Sequence, residues 1–186
     1  MSLQVIQASI PLLEVALEES RKLSPTDSVA LGLSSYLAQH IEEERGHDEW
    51  LREDLSLLGV DLNSIPYPSP HVASMVGAQF YWARYAHPVA ILGYLGVLEG
   101  ESPEESFFVE MADRSGLPAG AFTTLRYHAR VDGAHWRDLL NVLDQLPLEP
   151  RHESLIGLSV LNTCQCMESA IRSVLEQPGI ALKIPR

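Results

Sequence analysis

Two segments of the chain repeat the same spacing of histidine and acidic residues. The first is HIEEERGHDEW, with His40, Glu44 and His47, and the second is LRYHARVDGAHW, with His128, Asp132 and His135. An α-helix advances ~100° per residue, so positions i, i+4 and i+7 lie within about 60° of one another. Each segment therefore predicts a stripe of potential metal ligands along one helix.

Both stripes border apolar helix surface. Isolated carboxylates and imidazoles buried there would cost several kcal/mol each unless they were paired or bound to a cation. A divalent metal satisfies this requirement, and mixed imidazole and carboxylate ligands suit iron and manganese. Glu44 and His47 also form the Glu-x-x-His pair used by metal sites in helix bundles.

Glu99 is a third candidate ligand. It is the only acid in the apolar segment PVAILGYLGVLEG. Gly93 and Gly96 in that segment allow close approach to a neighbouring helix, because glycine has no Cβ. We expect Glu99 to bridge or complete the site.

Other polar residues have simpler interpretations. The first stripe alone fits a solvated face about as well as a ligand set, since Glu-rich helix surfaces are common. Glu42, Glu43 and Asp48 are expected to face solvent. His71, His87 and His152 are expected to serve at helix starts.

Length and charge limit the possible functions. The chain has 186 residues, with 13 lysines and arginines against 25 acids and a net charge of −12. We expect one domain over 1–186, with no nucleic acid or membrane partner, because phosphate backbones and anionic membrane surfaces repel this charge. The first residues show no pattern typical of a secretory signal peptide. Cys164 and Cys166 lie too close together for an unstrained disulfide. Both observations favour a cytoplasmic location.

The periodicity of apolar residues predicts an all-α protein. Strand signals are almost absent, while helix starts occur at Ser24-Pro25, Ser69-Pro70 and Ser102-Pro103. The signals predict seven helices, near residues 4–21, 25–58, 70–85, 88–100, 103–115, 118–146 and 152–177.

Because of these residues, the sequence resembles the heme-oxygenase-like diiron oxidases. They are the metal-binding branch of a fold that is shared with thiaminase II and pyrroloquinoline-quinone synthase C. HIEEERGHDEWLREDLSLLG, HPVAILGYLGVLEG and H-x3-D-x2-H occur in the order found in this family. The resemblance implies a seven-helix bundle with iron ligands at Glu44, His47, Glu99, His128, Asp132 and His135. The sequence also resembles the subset described as iron-containing redox enzymes.

One position departs from the family pattern. Relatives often place another carboxylate one or two turns before the ligand at His47, where this chain has His40 and Tyr36. His40 either replaces that carboxylate as a ligand or orients Glu44. The number of irons therefore stays open.

The resemblance also implies an activity. Two Fe(II) ions, or manganese or a mixed pair, would use O2 to oxidise a small substrate such as an amino acid, an amine or a fatty acid. Tyr36 would be redox-active, a hydrogen-bond donor, or a packing residue. A homodimer is common for this fold.

Two alternatives belong to other classes. A metal-free enzyme like thiaminase II would need a cysteine nucleophile, but no cysteine precedes Cys164. The other alternative is a non-catalytic iron-binding or accessory helical protein.

Overall fold

The computed structural model describes residues 2–64, 67–100 and 102–176, and within these ranges the secondary structure is helical. The α-helices are α1 (Ser2–Leu23), α2 (Ser28–Glu44), α3 (His47–Leu57), α4 (Pro70–Tyr85), α5 (Ile91–Glu99), α6 (Glu105–Ser115), α7 (Thr123–Gln145) and α8 (Pro150–Leu175). Short 3₁₀ segments occur at Leu62–Ser64, Pro88–Ala90 and Ala119–Phe122. The all-α prediction is confirmed.

The predicted helix over 25–58 is broken in the middle. Helix α2 ends at Glu44, and α3 begins at His47. Between them Arg45 is extended (φ −62°, ψ 131°) and Gly46 is left-handed (φ 85°). Glycine adopts this conformation without the steric penalty of a Cβ. If α2 and α3 are taken as two halves of one interrupted helix, each predicted helix has a counterpart.

Two of the three helix starts predicted at Ser-Pro pairs are displaced. Helix α2 begins at Ser28 because the side chain of Asp27 accepts a hydrogen bond from the backbone N–H of Ala30 (2.9 Å). Helix α6 begins at Glu105, not at Pro103. The predicted start at Ser69-Pro70 is confirmed, with the Ser69 hydroxyl accepting a hydrogen bond from the Val72 N–H.

A shared apolar core joins α2, α5 and α7. Its fully buried members include Leu33 and Leu37 of α2, Leu92 and Tyr94 of α5, and Leu139 of α7. These three helices carry most of the predicted ligands, so the core fixes the positions of the ligands.

Helix α5 packs closely against α8 at Gly93. A Cβ at this position would collide with the carbonyl oxygen of Ile156 and lie 2.8 Å from the Cβ of Ser159. The predicted close approach at Gly93 is thus confirmed. It draws α5, which ends in Glu99, into the bundle.

In the part of the chain that the structure describes, no helix combines the length and apolar character needed to cross a membrane.

Candidate metal centre

Six of the seven predicted ligands gather into two adjacent groups inside the bundle. We call the first the His40 cluster (His40, Glu99, His135) and the second the His47 cluster (Glu44, His47, His128). In each cluster the potential ligand atoms lie within 4.8 Å of one another. Residues far apart in sequence therefore converge as the two stripes and Glu99 predicted.

The His40 cluster is buried. The exposed fractions of His40, Glu99 and His135 are 1%, 9% and 8%. His40 Nε2 lies 3.1 Å from Glu99 Oε1, and the rings of His40 and His135 are 5.3 Å apart. The structure thus places His40 beside two predicted ligands.

Two atoms of the His40 cluster, Glu99 Oε2 and His135 Nδ1, are buried without a hydrogen-bond partner, and His40 Nε2 faces Glu99 Oε1. An unpartnered buried polar atom costs about 1–3 kcal/mol. A cation among these atoms would remove that cost, and two imidazoles with a carboxylate suit iron or manganese. The donor set therefore fits the metal that the sequence predicts.

The His47 cluster lies at the break between α2 and α3. His47 Nδ1 is 3.0 Å from Glu44 Oε2, and its ring lies 4.8 Å from that of His128. The rings of Trp50 and Tyr127 pack on His47 at 4.7 Å and 5.3 Å. His128 Nε2 is buried without a hydrogen-bond partner.

Glu44 connects the two clusters. Its Oε2 faces His47 Nδ1 at 3.0 Å, while its Oε1 faces His135 Nδ1 at 3.7 Å. A carboxylate with one oxygen toward each group has the geometry of a bridging ligand. The sequence analysis gave Glu99 as the candidate to bridge or complete the site, and Glu99 lies in the His40 cluster alone.

Asp132 contacts a ligand candidate rather than joining a cluster. Its buried carboxylate lies 3.2 Å from His128 Nδ1. A carboxylate at the outer nitrogen of an imidazole fixes the tautomer and leaves the other nitrogen free to bind a metal. Asp132 thus lies at the outer nitrogen of His128, and its predicted role as a metal ligand stays a prediction.

Glu43, which was predicted to face solvent, is partly exposed and also faces two histidines of the site. Its Oε2 lies 3.8 Å from His40 Nδ1 and 3.8 Å from His135 Nε2, and its side chain is 35% exposed. The i, i+3 spacing from His40 was the available sequence signal. The contact with His135 depends on how α7 packs against α2, so the sequence pattern of α2 alone could not reveal it.

Proton affinities in the site follow from burial and opposite charge. Burial favours neutral His40, but the Glu99 carboxylate outweighs it and raises the pKa of His40. Burial likewise opposes protonation of His128, while Asp132 and Glu44 raise its pKa. Burial would raise the pKa of Glu44, but His47 and the other imidazoles hold it below the usual value. The carboxylate charge is thus retained beside the histidines.

Two tyrosine hydroxyls are buried near the clusters without a hydrogen-bond partner, those of Tyr36 and Tyr94. The Tyr36 ring stacks on His40 with centroids 5.4 Å apart. Burial and the negative charge of Glu99 raise the pKa of both phenols. Both therefore stay protonated and can donate a hydrogen bond.

A cavity of about 300 Å³ opens onto both clusters. Among the residues that the structure describes, the ionisable ones that line it are His40, Glu44, Glu99, His128 and Asp132. The remaining wall is largely apolar, with contributions from α1, α4, α5, α6, α7 and α8. A small molecule in this cavity would contact the potential metal ligands directly.

A third group, Asp27, His87 and His152, also has ligand atoms within 4.8 Å of one another. However, His87 Nδ1 accepts a hydrogen bond from the Val89 N–H, and His152 Nδ1 accepts one from the Glu149 N–H. A neutral imidazole that accepts at Nδ1 carries its proton on Nε2 and has no lone pair there for a metal. His87 and His152 therefore serve at helix starts, as the sequence predicts.

A comparison with protein families identifies the family of the chain. A family described as iron-containing redox enzymes matches residues 26–166. The chain belongs to this family of iron-containing redox enzymes.

The fold also has a relative among solved structures. A domain of unknown function with a heme oxygenase-like fold from Shewanella denitrificans OS217 aligns with a TM-score of 0.61 and 15% identity, covering 96% of this chain and 86% of that chain. The predicted heme-oxygenase-like fold is thus confirmed. No curated protein matches the sequence.

Proposed function

We propose that this protein is a non-heme oxidase or oxygenase that binds two iron ions and uses O2 to oxidise a small organic molecule. The main support is Glu44, whose two oxygens face the two clusters at 3.0 Å and 3.7 Å. Enzymes that use two metals hold them about 3.5–4 Å apart, a separation that a single carboxylate can bridge. Membership of the iron-containing redox family supports the choice of iron.

The proposal assigns a role to each predicted ligand. His40, Glu99 and His135 would hold one metal, and His47 and His128 the other, with Glu44 shared. Asp132 would orient His128 through its contact with Nδ1. Iron bound here would supply electrons to O2 and so generate an oxidant for the substrate.

The chain's own groups would prepare the site for that chemistry. The largely apolar wall of the cavity would hold the substrate beside the clusters. Tyr36 stays protonated and stacks on His40, so we propose it as a hydrogen-bond donor at the edge of the site. Manganese or a mixed pair would fit the same donor set.

Other parts of the proposal rest on the sequence. We also propose that residues 1–186 form a single domain, that the protein is cytoplasmic and that it forms a homodimer. The cysteine-dependent alternative has no support in the site, because Cys164 is exposed and neither Cys164 nor Cys166 lines the cavity.

Oxygen consumption tests the function. We expect Fe(II)-loaded protein to develop a visible absorption band in air and to consume O2 faster with at least one member of a panel of fatty acids, amines and amino acids. Glu99→Ala and His135→Ala should abolish both signals. Glu42→Ala is the matched control, because Glu42 is exposed and paired with Arg45 at 3.0 Å. Iron binding without any substrate-dependent O2 uptake would support the non-catalytic alternative.

A further inference from the structure

Helix α3 carries His47 but is not continuous with α2. The break at Arg45 and Gly46 separates the two helices, so the direction of α2 does not by itself set the position of α3. The buried residues of α3 are His47, Leu51 and Asp54. Positions i, i+4 and i+7 lie on one face of a helix. Asp54 therefore shares the buried face of α3 with His47.

This face packs against the first half of α7. Three contacts follow one another along the two helices: His47 with His128, Trp50 with Tyr127, and Asp54 with Thr124. In the first two pairs the ring centroids are 4.8 Å and 5.0 Å apart. In the third, Asp54 Oδ2 accepts a hydrogen bond from the Thr124 N–H at 2.7 Å. The two helices thus run antiparallel, with the histidine pair at one end of the contact and Asp54 at the other.

The start of α7 has no cap of its own. Its N-cap residue is Phe122, which makes no side-chain hydrogen bond to the helix. The first N–H groups of a helix lack partners within it, and a side chain directly before the helix usually accepts from one of them. Here the acceptor is Asp54, which lies 70 residues before Thr124. A carboxylate at this place is also favoured by the positive end of the helix dipole.

The hydrogen bond between Asp54 and Thr124 is shielded from water. The exposed fractions of Asp54 and Thr124 are 4% and 0%. A hydrogen bond from a backbone N–H to a carboxylate is directional and stronger than one between neutral groups. Among the described residues, no other hydrogen bond joins α3 to α7. The ring contacts between these helices are less directional, so the Asp54 hydrogen bond defines how α3 is aligned along α7.

A close contact near the same ends of the two helices supports this alignment. Gly120 lies just before α7, and a Cβ added there would lie only 3.1 Å from Leu57 Cδ1 at the end of α3. The end of α3 and the segment that leads into α7 are therefore tightly packed.

We propose that Asp54 is a positioning residue, which sets the distance between His47 and His128 by holding the start of α7 against α3. The proposal rests on the proposed function, in which these two histidines bind one metal. Thr124 precedes His128 by four residues, and Asp54 follows His47 by seven, or about 6 Å and 10 Å along the helices. A shift at the Asp54 contact therefore reaches both ligands through short helical segments.

The His40 cluster should be much less sensitive to Asp54. None of its three residues lies on α3, and only His135 lies on α7, eleven residues or about 16 Å beyond Thr124. Loss of the Asp54 hydrogen bond should thus weaken one metal site and spare the other. A general loss of stability would not be selective in this way.

Hydrogen exchange of the metal-free protein tests the contact itself. Asp54→Leu removes the acceptor at similar size, whereas Asp54→Asn keeps an oxygen that can accept. We expect faster amide exchange in α3 and in the first turn of α7 in Asp54→Leu, and nearly wild-type exchange in Asp54→Asn. Ser69→Ala is the matched control, because it removes the cap of α4, a helix that carries none of the proposed ligands. It should leave exchange in α3 and α7 unchanged.

The unmodified protein gives a further test, which does not depend on whether Asp54→Leu folds. The Thr124 amide should exchange slowly although it is the second residue of its helix. The Ser106 amide is the comparison, since it is second in α6, exposed, and has no side-chain cap. Exchange at Thr124 as fast as at Ser106 would overturn the proposal.

Zinc titration by calorimetry then tests the effect on the metal site without any oxidation, because zinc has no redox chemistry. His40→Ala should leave mainly the site at the His47 cluster, and His128→Ala mainly the site at the His40 cluster. We expect Asp54→Leu to lower zinc affinity about 10-fold in the His40→Ala background, at the lower end of the effect of losing a residue that orients a ligand. In the His128→Ala background it should change little, and Asp54→Asn should restore the affinity in the first background.

Equal losses of zinc affinity in the two backgrounds would overturn the positioning role of Asp54, and so would an unchanged affinity in both. A wild-type protein that binds no zinc would overturn it together with the proposed metal centre. A selective loss of zinc without any O2 consumption by the iron-loaded wild type would contradict the proposed function and leave the role of Asp54 intact. Oxygen consumption with a non-selective loss would do the reverse.

Discussion

Glu44 and His47 meet at 3.0 Å across a helix break, with Glu44 ending α2 and His47 beginning α3. A continuous helix would also place residues i and i+3 side by side. Here the same pairing is reached through an extended Arg45 and a left-handed Gly46 (φ 85°). The Glu-x-x-His pattern therefore predicts the contact correctly but the backbone incorrectly.

The left-handed Gly46 gives the first prediction. Gly46→Ala should lower the free energy of unfolding by about 1–2 kcal/mol, because a Cβ is strained in this conformation. It should also weaken zinc binding, since the break sets the position of His47 relative to Glu44. Urea denaturation and zinc titration measure the two effects.

Gly46→Asn is the matched control. Asparagine tolerates left-handed backbone better than other residues with a Cβ, so this variant should lose less stability than Gly46→Ala. Equal losses in both variants would show that backbone conformation is not the cause.

The close packing of α5 on α8 gives a second prediction. Gly93→Ala should destabilise the protein by about 1–3 kcal/mol, because the added Cβ collides with the Ile156 carbonyl and forces the helices apart. The shift should reach Glu99 at the end of α5 and reduce metal affinity. Gly77→Ala is the control, since a Cβ at Gly77 has no neighbour within 4 Å in the described structure. This control should be neutral or slightly stabilising in urea melts, and a loss as large as that of Gly93→Ala would refute the packing explanation.

Asp27 gives a third prediction as the N-cap of α2. Asp27→Ala removes the acceptor for the Ala30 N–H and the contact with His87 at 3.3 Å. Loss of an N-cap costs about 0.5–2 kcal/mol. Asp113→Ala removes an exposed acid of α6 and should cost less. The ranking of the two variants in chemical denaturation checks the role of the cap.

The pH dependence of stability gives a fourth prediction. Burial holds the pKa of His87 below its usual value, despite the opposing charge of Asp27. As pH falls below about 6.5, the unfolded chain gains a proton at this residue before the folded protein does, so the free energy of unfolding falls. The stabilisation is thus present above that pH and lost as pH falls toward the lower folded-state pKa.

His87→Asn isolates this effect because asparagine keeps an acceptor for the Val89 N–H but does not titrate. Denaturation of the metal-free protein between about pH 7 and pH 5 should show a smaller loss of stability in the variant than in the wild type. Identical pH slopes would rule out His87 as the titrating group.

The sequence predicted the parts of the site that one helix determines. The helical repeat places His128 and His135 on one face, and the rarity of acids in apolar helices singled out Glu99. The contact of Glu43 with His135 was missed because it depends on how α7 packs against α2, which no local pattern encodes. Glu44 as the link between clusters was missed for the same reason.

Helix ends show a similar division. Ser24 and Asp27 are both common residues at the start of a helix, and the local sequence does not show which of them starts α2. In the structure the Ser24 hydroxyl donates to the Arg21 carbonyl at the end of α1, which leaves Asp27 to start α2. The hydrogen bond between Ser24 and the end of α1 therefore determines which residue starts α2.

The central claim is that each cluster binds one iron ion, and anaerobic equilibrium dialysis against Fe(II) tests it most directly. We expect about two irons per chain in the wild type and in Glu42→Ala, and about one after His40→Ala or His128→Ala. Circular dichroism of each variant confirms folding. A wild-type protein that retains no iron, or histidine variants that retain as much as the wild type, would contradict the account.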